Sequence, residues 1–279
     1  MAKDLRGKPV GDEIKQYIKD KVEELKKDGK RPTLAIVRLG DNPDDVYYER
    51  SILKNCESLG ISTHLVHKDE NIQTEELLDI VSELNTDDGV SGILIFRPLP
   101  KHIDEDKVIR TVSPDKDVDS MNPISVNKLF EGDMSGFAPC TPEAAMEILR
   151  YNDIDLEGKN VAVINRSLVV GKPLAMLLLE ENATVTICHS RTKDLPSITK
   201  DADIVMTALG RAKMFGKEYF NEDSIVIDIG MSEDDEGKMS GDVNYEEVKD
   251  LVKAITPVPG GVGSVTTSLL LKHVVDACK

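Results

Sequence analysis

Short apolar runs of strand character alternate with amphipathic helical runs along this chain. Few architectures admit that rhythm. Consecutive parallel strands need crossovers, and helices are the usual crossovers, so the chain reads as α/β, with parallel sheets covered by helices. Ile14, Ile18, Val22 and Leu25 recur at helical spacing. PTLAIVRLG follows as a buried strand ending at Gly40, and DDVYYERSILKNCESLG reads as a helix that stops at Gly60. STHLVH is a second strand, TEELLDIVSELN a helix with Thr74 as its expected N-cap, and GVSGILIF a third strand. After a loop-rich stretch, CTPEAAMEILR starts a helix with Thr141 as expected cap and Pro142 in the first helical position. KNVAVIN, ATVTICH, ADIVMTAL and SIVIDIG give four further strands in a nucleotide-fold pattern. A Gly/Pro-rich hinge leads to a last helix, roughly Val265 to Cys278.

The totals exclude several classes. Hydrophobic residues make up 40% of the 279, enough for a real core, but only 4% are aromatic and Trp is absent, so aliphatic side chains must fill it. A net charge of −16 argues against a nucleic-acid partner, which needs a Lys/Arg excess to neutralise phosphates. The four cysteines, Cys56, Cys140, Cys188 and Cys278, form no CxxC pair. They read as reduced thiols of a cytoplasmic protein with no metal site. The N-terminal MAKDLRGKPVGDE lacks the apolar stretch of a signal peptide, and no run approaches the roughly 18 apolar residues of a membrane helix.

The stretch VAVINRSLVVGKPLAMLLL reads as strand, tight loop, helix. It is not the GxGxxG of an ordinary dinucleotide loop: Asn165 stands where a first glycine might, and Gly171 comes only at the helix start. NAD-specific folds end the second strand with an acid that holds the ribose 2′-OH. Here ATVTI runs into Cys188-His189-Ser190-Arg191-Thr192, with no acid before Asp194. A hydroxyl and a guanidinium suit a 2′-phosphate, and Arg166 in the first loop adds a second guanidinium. The pattern favours NADP over NAD.

The blocks GILIFRPLP, PDKDVDSMNP, PCTP, INRSLVVGKP, CHSRT, IVIDIG, GDV and ITPVPGGVG occur in this order. Together, over essentially the whole chain, they resemble the methylenetetrahydrofolate dehydrogenase/cyclohydrolase family. The resemblance implies two α/β domains: a folate-binding catalytic domain at 1–140, joined by a returning helix at 265–279, and a Rossmann-like NADP-binding domain at 141–264. It implies a homodimer, tetrahydrofolate one-carbon derivatives as substrates, and a folate lying between the domains. It also implies oxidation of 5,10-methylenetetrahydrofolate, followed in most members by hydrolysis of the methenyl product to 10-formyltetrahydrofolate. The tyrosine near the folate corresponds to Tyr48, and the aspartate that grips the pterin to Asp119. The cofactor loop corresponds to Asn165, Arg166, Ser167 and Gly171, with Ser190 and Arg191 on the second strand. The PVPGGVG loop, which approaches folate and cofactor, contributes Pro259, Gly260 and Gly261. Asn165 and Ser264 depart from a usual glycine and a usual proline.

The family carries a lysine four residues after the tyrosine, as YxxxK, where helical spacing puts both on one face. That lysine moves protons during methenyl hydrolysis, and a glutamine in GILVQLPLP bonds it. Here the two positions are Ile52 and Phe96. Lys54 lies about 240° around the helix from Tyr48 and Arg50 about 200°, so neither replaces it. Hydride transfer needs no proton to move, whereas hydrolysis does. The expectation is therefore a dehydrogenase with weak or lost cyclohydrolase activity. A fully bifunctional enzyme and a non-catalytic folate- or nucleotide-binding protein stay open as alternatives.

Overall fold

The computed structural model describes residues 2–133 and 135–279. In chain order its first elements are β1 (Lys3–Asp4), α1 (Gly7–Lys27), β2 (Thr33–Leu39), α2 (Pro43–Leu59), β3 (Ser62–Lys68), α3 (Thr74–Thr86) and β4 (Gly92–Ile95). There follow α4 (Glu105–Thr111), α5 (Pro123–Phe130), α6 (Cys140–Tyr151), β5 (Asn160–Ile164), α7 (Gly171–Glu180), β6 (Thr184–Cys188) and α8 (Leu195–Lys200). The remainder comprises β7 (Ile204–Thr207), β8 (Ile225–Asp228), the hairpin β9 (Ser232–Glu233) and β10 (Met239–Ser240), α9 (Tyr245–Val248), β11 (Ala254–Ile255) and α10 (Thr266–Asp276). The chain divides into two compact units. One comprises Glu13–Ala138 with Thr267–Lys279, and the other Pro139–Thr266 with the residues up to Asp12.

In the first unit β3, β2 and β4 form a parallel three-stranded sheet, with Leu34 opposite Gly92 and Thr33 opposite Ser62. β2 is buried along nearly its whole length, as a central parallel strand must be. Its core joins Ala35, Val37, Ile93 and Ile95 to Leu77 and Val81 of α3 and Val108 of α4. Gly60 ends α2 in the left-handed conformation, φ 76°, as expected of a glycine stop.

In the second unit six parallel strands run in the order β1-β11-β8-β7-β5-β6. Residues 2–12, expected with the first domain, lie here because β1 pairs with β11. The wholly buried Leu5 follows that strand.

Two cap expectations fail, one for a tertiary and one for a local reason. Thr74 is the first residue of α3, not its cap, and its hydroxyl accepts a hydrogen bond from the Asp104 amide at 3.0 Å. α6 begins at Cys140 with Pro139 before it, so Thr141 and Pro142 both lie inside its first turn.

Candidate functional site

The first unit carries Tyr48, Ile52, Phe96 and Asp119. α2 is fixed to the sheet by a buried ion pair. Arg38 on β2 donates its Nε hydrogen to Glu49 at 2.7 Å, and both side chains are less than a tenth exposed. Arg38 also donates to the Gly40 carbonyl and reaches Asp41 at 3.1 Å. A guanidinium this deep needs such a complement of acceptors. The pair sets the rotation of the helix. Tyr48, beside Glu49, is 41% exposed, while Ile52 and Cys56, one and two turns further on, are wholly buried. Burial also pushes the Cys56 thiol up to about 12, which keeps it protonated at neutral pH.

Phe96 follows the last residue of β4 and is buried. Its ring centroid lies 5.4 Å from that of Tyr48, tilted by 34°. The geometry is that of an attractive aromatic pair. Arg97, its neighbour, turns away and pairs with Glu105 at 3.1 Å. The tyrosine face of α2 therefore meets an aromatic ring at Tyr48 and, one turn on, carries the aliphatic side chain of Ile52.

Asp119 is half-buried at the tip of a tight loop. The loop is organised by a residue that motif reading passed over. Asp117 is 1% exposed and accepts hydrogen bonds from the Met121 amide at 2.9 Å and the Asn122 amide at 2.8 Å. Asn122 caps α5 through the Ile124 amide and donates to the Val112 carbonyl, both at 2.8 Å. Ser120, beside Asp119, is held at φ 52°, a left-handed conformation costly for a residue with a side chain.

In the second unit the loop after β5 is built around Asn165. Its Oδ1 accepts from the Ser167 amide at 2.7 Å and the Gly171 amide at 3.1 Å, and its Nδ2 donates to the Ala208 carbonyl. One side chain thus sets the loop's shape and ties it to the loop after β7. A Cβ on Gly171 would fall 2.2 Å from the Asn165 carbonyl, so only glycine fits there. Ile164 is paired with Cys188, so Arg166 and Ser190 each lie two residues past a register pair on neighbouring strands. Both loops thus leave the sheet from the same end of two adjacent parallel strands. Arg166, Ser167, Ser190 and Arg191 are all exposed, and neither arginine pairs with a carboxylate among the described residues. The 189–192 turn is closed by its own bonds. Thr192 Oγ accepts from the His189 amide at 2.8 Å, and His189 Nδ1 from the Arg191 amide at 3.1 Å. Two free guanidiniums, a serine and no acid are a donor set for a phosphate monoester.

The Pro257–Gly263 loop of the same unit presents Pro259 and Gly260 outward and buries Gly261. Gly7 donates to the Gly260 carbonyl at 2.9 Å. A Cβ on Gly7 would fall 2.2 Å from the Gly261 carbonyl.

A second organiser sits behind these loops. Asp228, at the end of β8, accepts from the Gly230, Asp242 and Val243 amides and from the Thr207 hydroxyl, at 2.8–3.1 Å. Asp242 accepts from the Leu209 and Arg211 amides at 2.6 and 2.7 Å. Burial pushes Asp228 up to about 7, reinforced by the nearby Asp242 charge and opposed by the amide and hydroxyl donors. The sequence signal was present in the IDIG and GDV blocks. Gly230 and Gly241 stand where a Cβ would strike the Asp242 and Asp228 carboxyls, respectively.

Among the described residues no cluster of His, Cys, Asp and Glu could hold a metal ion, and no helix is long and apolar enough to cross a membrane.

Residues 5–119 match the family model described as the tetrahydrofolate dehydrogenase/cyclohydrolase catalytic domain, and residues 139–279 that of its NAD(P)-binding domain. A relative from Clostridium botulinum strain Hall, called "Bifunctional protein FolD", is 56% identical over 279 residues, covering 100% of this chain and 99% of its own length. A solved bifunctional FolD methylenetetrahydrofolate dehydrogenase/cyclohydrolase from Campylobacter jejuni superposes with a TM-score of 0.96 at 42% identity, covering 99% of this chain and 98% of its own. A Trypanosoma brucei enzyme of the same description, complexed with NADP cofactor and inhibitor, gives 0.91 at 33% identity, covering 99% and 97%. Both domain models match in the expected order, and full-length relatives share more than half the sequence; the chain belongs to the tetrahydrofolate dehydrogenase/cyclohydrolase family.

Proposed function

We propose that this protein oxidises 5,10-methylenetetrahydrofolate to 5,10-methenyltetrahydrofolate with NADP, and that its methenyltetrahydrofolate cyclohydrolase activity is weak or lost. The 13–138 unit with the last helix takes the folate, and the 139–266 unit takes the cofactor. NADP supplies the hydride acceptor. Arg166, Ser190 and Arg191 hold its 2′-phosphate, while Asn165, Ser167 and Gly171 shape the loop beneath the pyrophosphate. Asp119 accepts from the pterin ring and fixes its orientation, Tyr48 flanks it, and Pro259, Gly260 and Gly261 offer backbone close to substrate and cofactor.

Hydride departure from the methylene carbon is driven by a nitrogen lone pair and leaves a delocalised cation. The protein has only to align and to stabilise charge, for which an anionic Asp119 serves. Hydrolysis asks for more. Water must attack the methenyl carbon and lose a proton, and a ring nitrogen must gain one. A positioned acid–base group is worth about 10²–10⁴-fold in such a step. The observation that carries the reading is the apolar character of the Tyr48 face: Ile52 wholly buried and Phe96 packed on the tyrosine ring. Neither side chain can carry a proton.

The name of the C. botulinum relative favours a second reading, a bifunctional enzyme in which another group moves the proton. Absorbance at the methenyl band, followed with NADP and NAD in parallel, separates the readings. Methenyl product should accumulate and decay at about the uncatalysed rate, with kcat/KM higher for NADP. Transient methenyl would establish the bifunctional reading, and no turnover a binding protein. We further propose a homodimer, on family grounds, and a cytoplasmic setting, which suits four thiols with no disulfide among them. Light scattering of the purified protein tests the dimer.

A further inference from the structure

We propose that His273, on the last helix, is a positioning residue for the Asp119 carboxylate. The inference rests on the reading of Asp119 as the pterin's acceptor. His273 is 2% exposed, and its Nδ1 lies 2.8 Å from the carbonyl of Val118, the residue before Asp119. A carbonyl only accepts, so Nδ1 carries the proton and donates it. The ring is stacked on Phe137, with centroids 4.6 Å apart and planes at 25°, which fixes the donor's direction.

The Asp119 loop is thereby held from both sides. Asp117 draws in the Met121 and Asn122 amides from one flank. From the other, His273 holds the Val118 carbonyl, while the Val118 side chain packs where Gly92 leaves room. A Cβ there would lie 2.5 Å from one Val118 methyl and 3.3 Å from Val274 of the same last helix. Between the two anchors the chain carries Ser120 in its left-handed conformation, which persists only while its surroundings enforce it. Releasing the Val118 carbonyl lets the peptide before Asp119 rotate, and the carboxylate turns with it. A misplacement on the order of 1 Å costs a directed acceptor much of its value.

The test is steady-state kinetics of the full chain with His273→Leu, His273→Gln and His273→Asn. An asparagine amide nitrogen takes the place of ring Nδ1, whereas a glutamine amide reaches past it. His273→Leu and His273→Gln should lower kcat/KM for methylenetetrahydrofolate about tenfold or more, with the NADP KM changed less than about twofold, and His273→Asn should restore most of the loss. In an Asp119→Ala background His273→Gln should add less than about a twofold further loss, because the two residues act as one unit. The asparagine–glutamine contrast decides the matter even if the leucine variant does not fold. Wild-type kinetics in His273→Gln, an equal defect in the asparagine and glutamine variants, or a full additional loss on top of Asp119→Ala overturns the proposal. If Asp119→Ala itself turns over normally, the reading of Asp119 fails and this inference with it. An Asp119→Ala defect beside a silent His273→Gln sinks this inference alone.

Discussion

Ile52 and Phe96 are two changes in one small region, and their surroundings decide what reversing them would do. A lysine at position 52 would enter a site with no solvent contact. The nearest carboxylate on its own helical turn is Glu49, already engaged by Arg38. Ile52→Lys alone should therefore leave hydrolysis near the uncatalysed rate, since an unpaired buried ammonium is costly. Phe96→Gln alone should forfeit the aromatic contact with Tyr48, worth about 0.5–1.5 kcal/mol, and gain no chemistry. Together they supply a proton carrier and its orienting acceptor, and methenyl decay should quicken by more than the product of the single effects. Decay of the methenyl absorbance measures this, and purely additive variants would count against the assignment. These positions were legible because a helical YxxxK spacing and a strand motif fix them. Asn165 was legible only as a departure. Its role in bonding two amides of its own loop and a carbonyl after β7 depends on a partner 43 residues away.

At the scale of elements, Asp228 is the point where the segments after β7, β8 and β10 meet. Its folded carboxyl keeps a proton up to about 7, whereas an unfolded chain releases it near the ordinary aspartate value of 3.8. The raised value means that the stabilisation is complete below the unfolded pKa and is lost as pH rises through the folded one. Urea unfolding from pH 4 to 8 should show this contribution falling by a few kcal/mol, at about 1.4 per pH unit between the two values. Asp228→Asn should lower stability overall and remove that descending limb. A variant with the wild-type slope would place the titration elsewhere. The same scale separates what sequence patterns reveal from what they hide. Gly60 ends α2 through its own backbone freedom, so its signal is local. Thr74 and Thr141 look like caps because their type favours caps, but a neighbouring amide claims one hydroxyl and an earlier helix start displaces the other. Asp117 and His273 act through loop and helix partners, which no single-segment pattern displays.

At the scale of the whole molecule, neither unit is a continuous stretch of chain. Each is completed by a segment from the far end of the sequence. Residues 13–138 expressed alone should lack a cooperative thermal transition, because α10 belongs to that unit, with Val274 beside Gly92 and His273 bonded to the Val118 carbonyl. Appending residues 267–279 through a flexible linker should restore the transition, and a sharp melt of 13–138 without them would refute this. The alternation of strands and helices was readable along most of the chain, but α4 and α5 lie in the stretch that reads as loop-rich, and the short α8 and α9 are too brief to show a helical period. β1 was not readable either, since two residues show no periodicity and their partner lies near the other end of the chain. That pairing of Lys3 with Ala254 sets an order of events at the ribosome. At roughly 5–20 residues per second, about 10–50 s separate the emergence of the two strands. Lys3 and Asp4 are made long before the strand they pair with, and until it arrives they meet solvent as part of a charged, non-sticky segment, Lys3, Asp4 and Arg6.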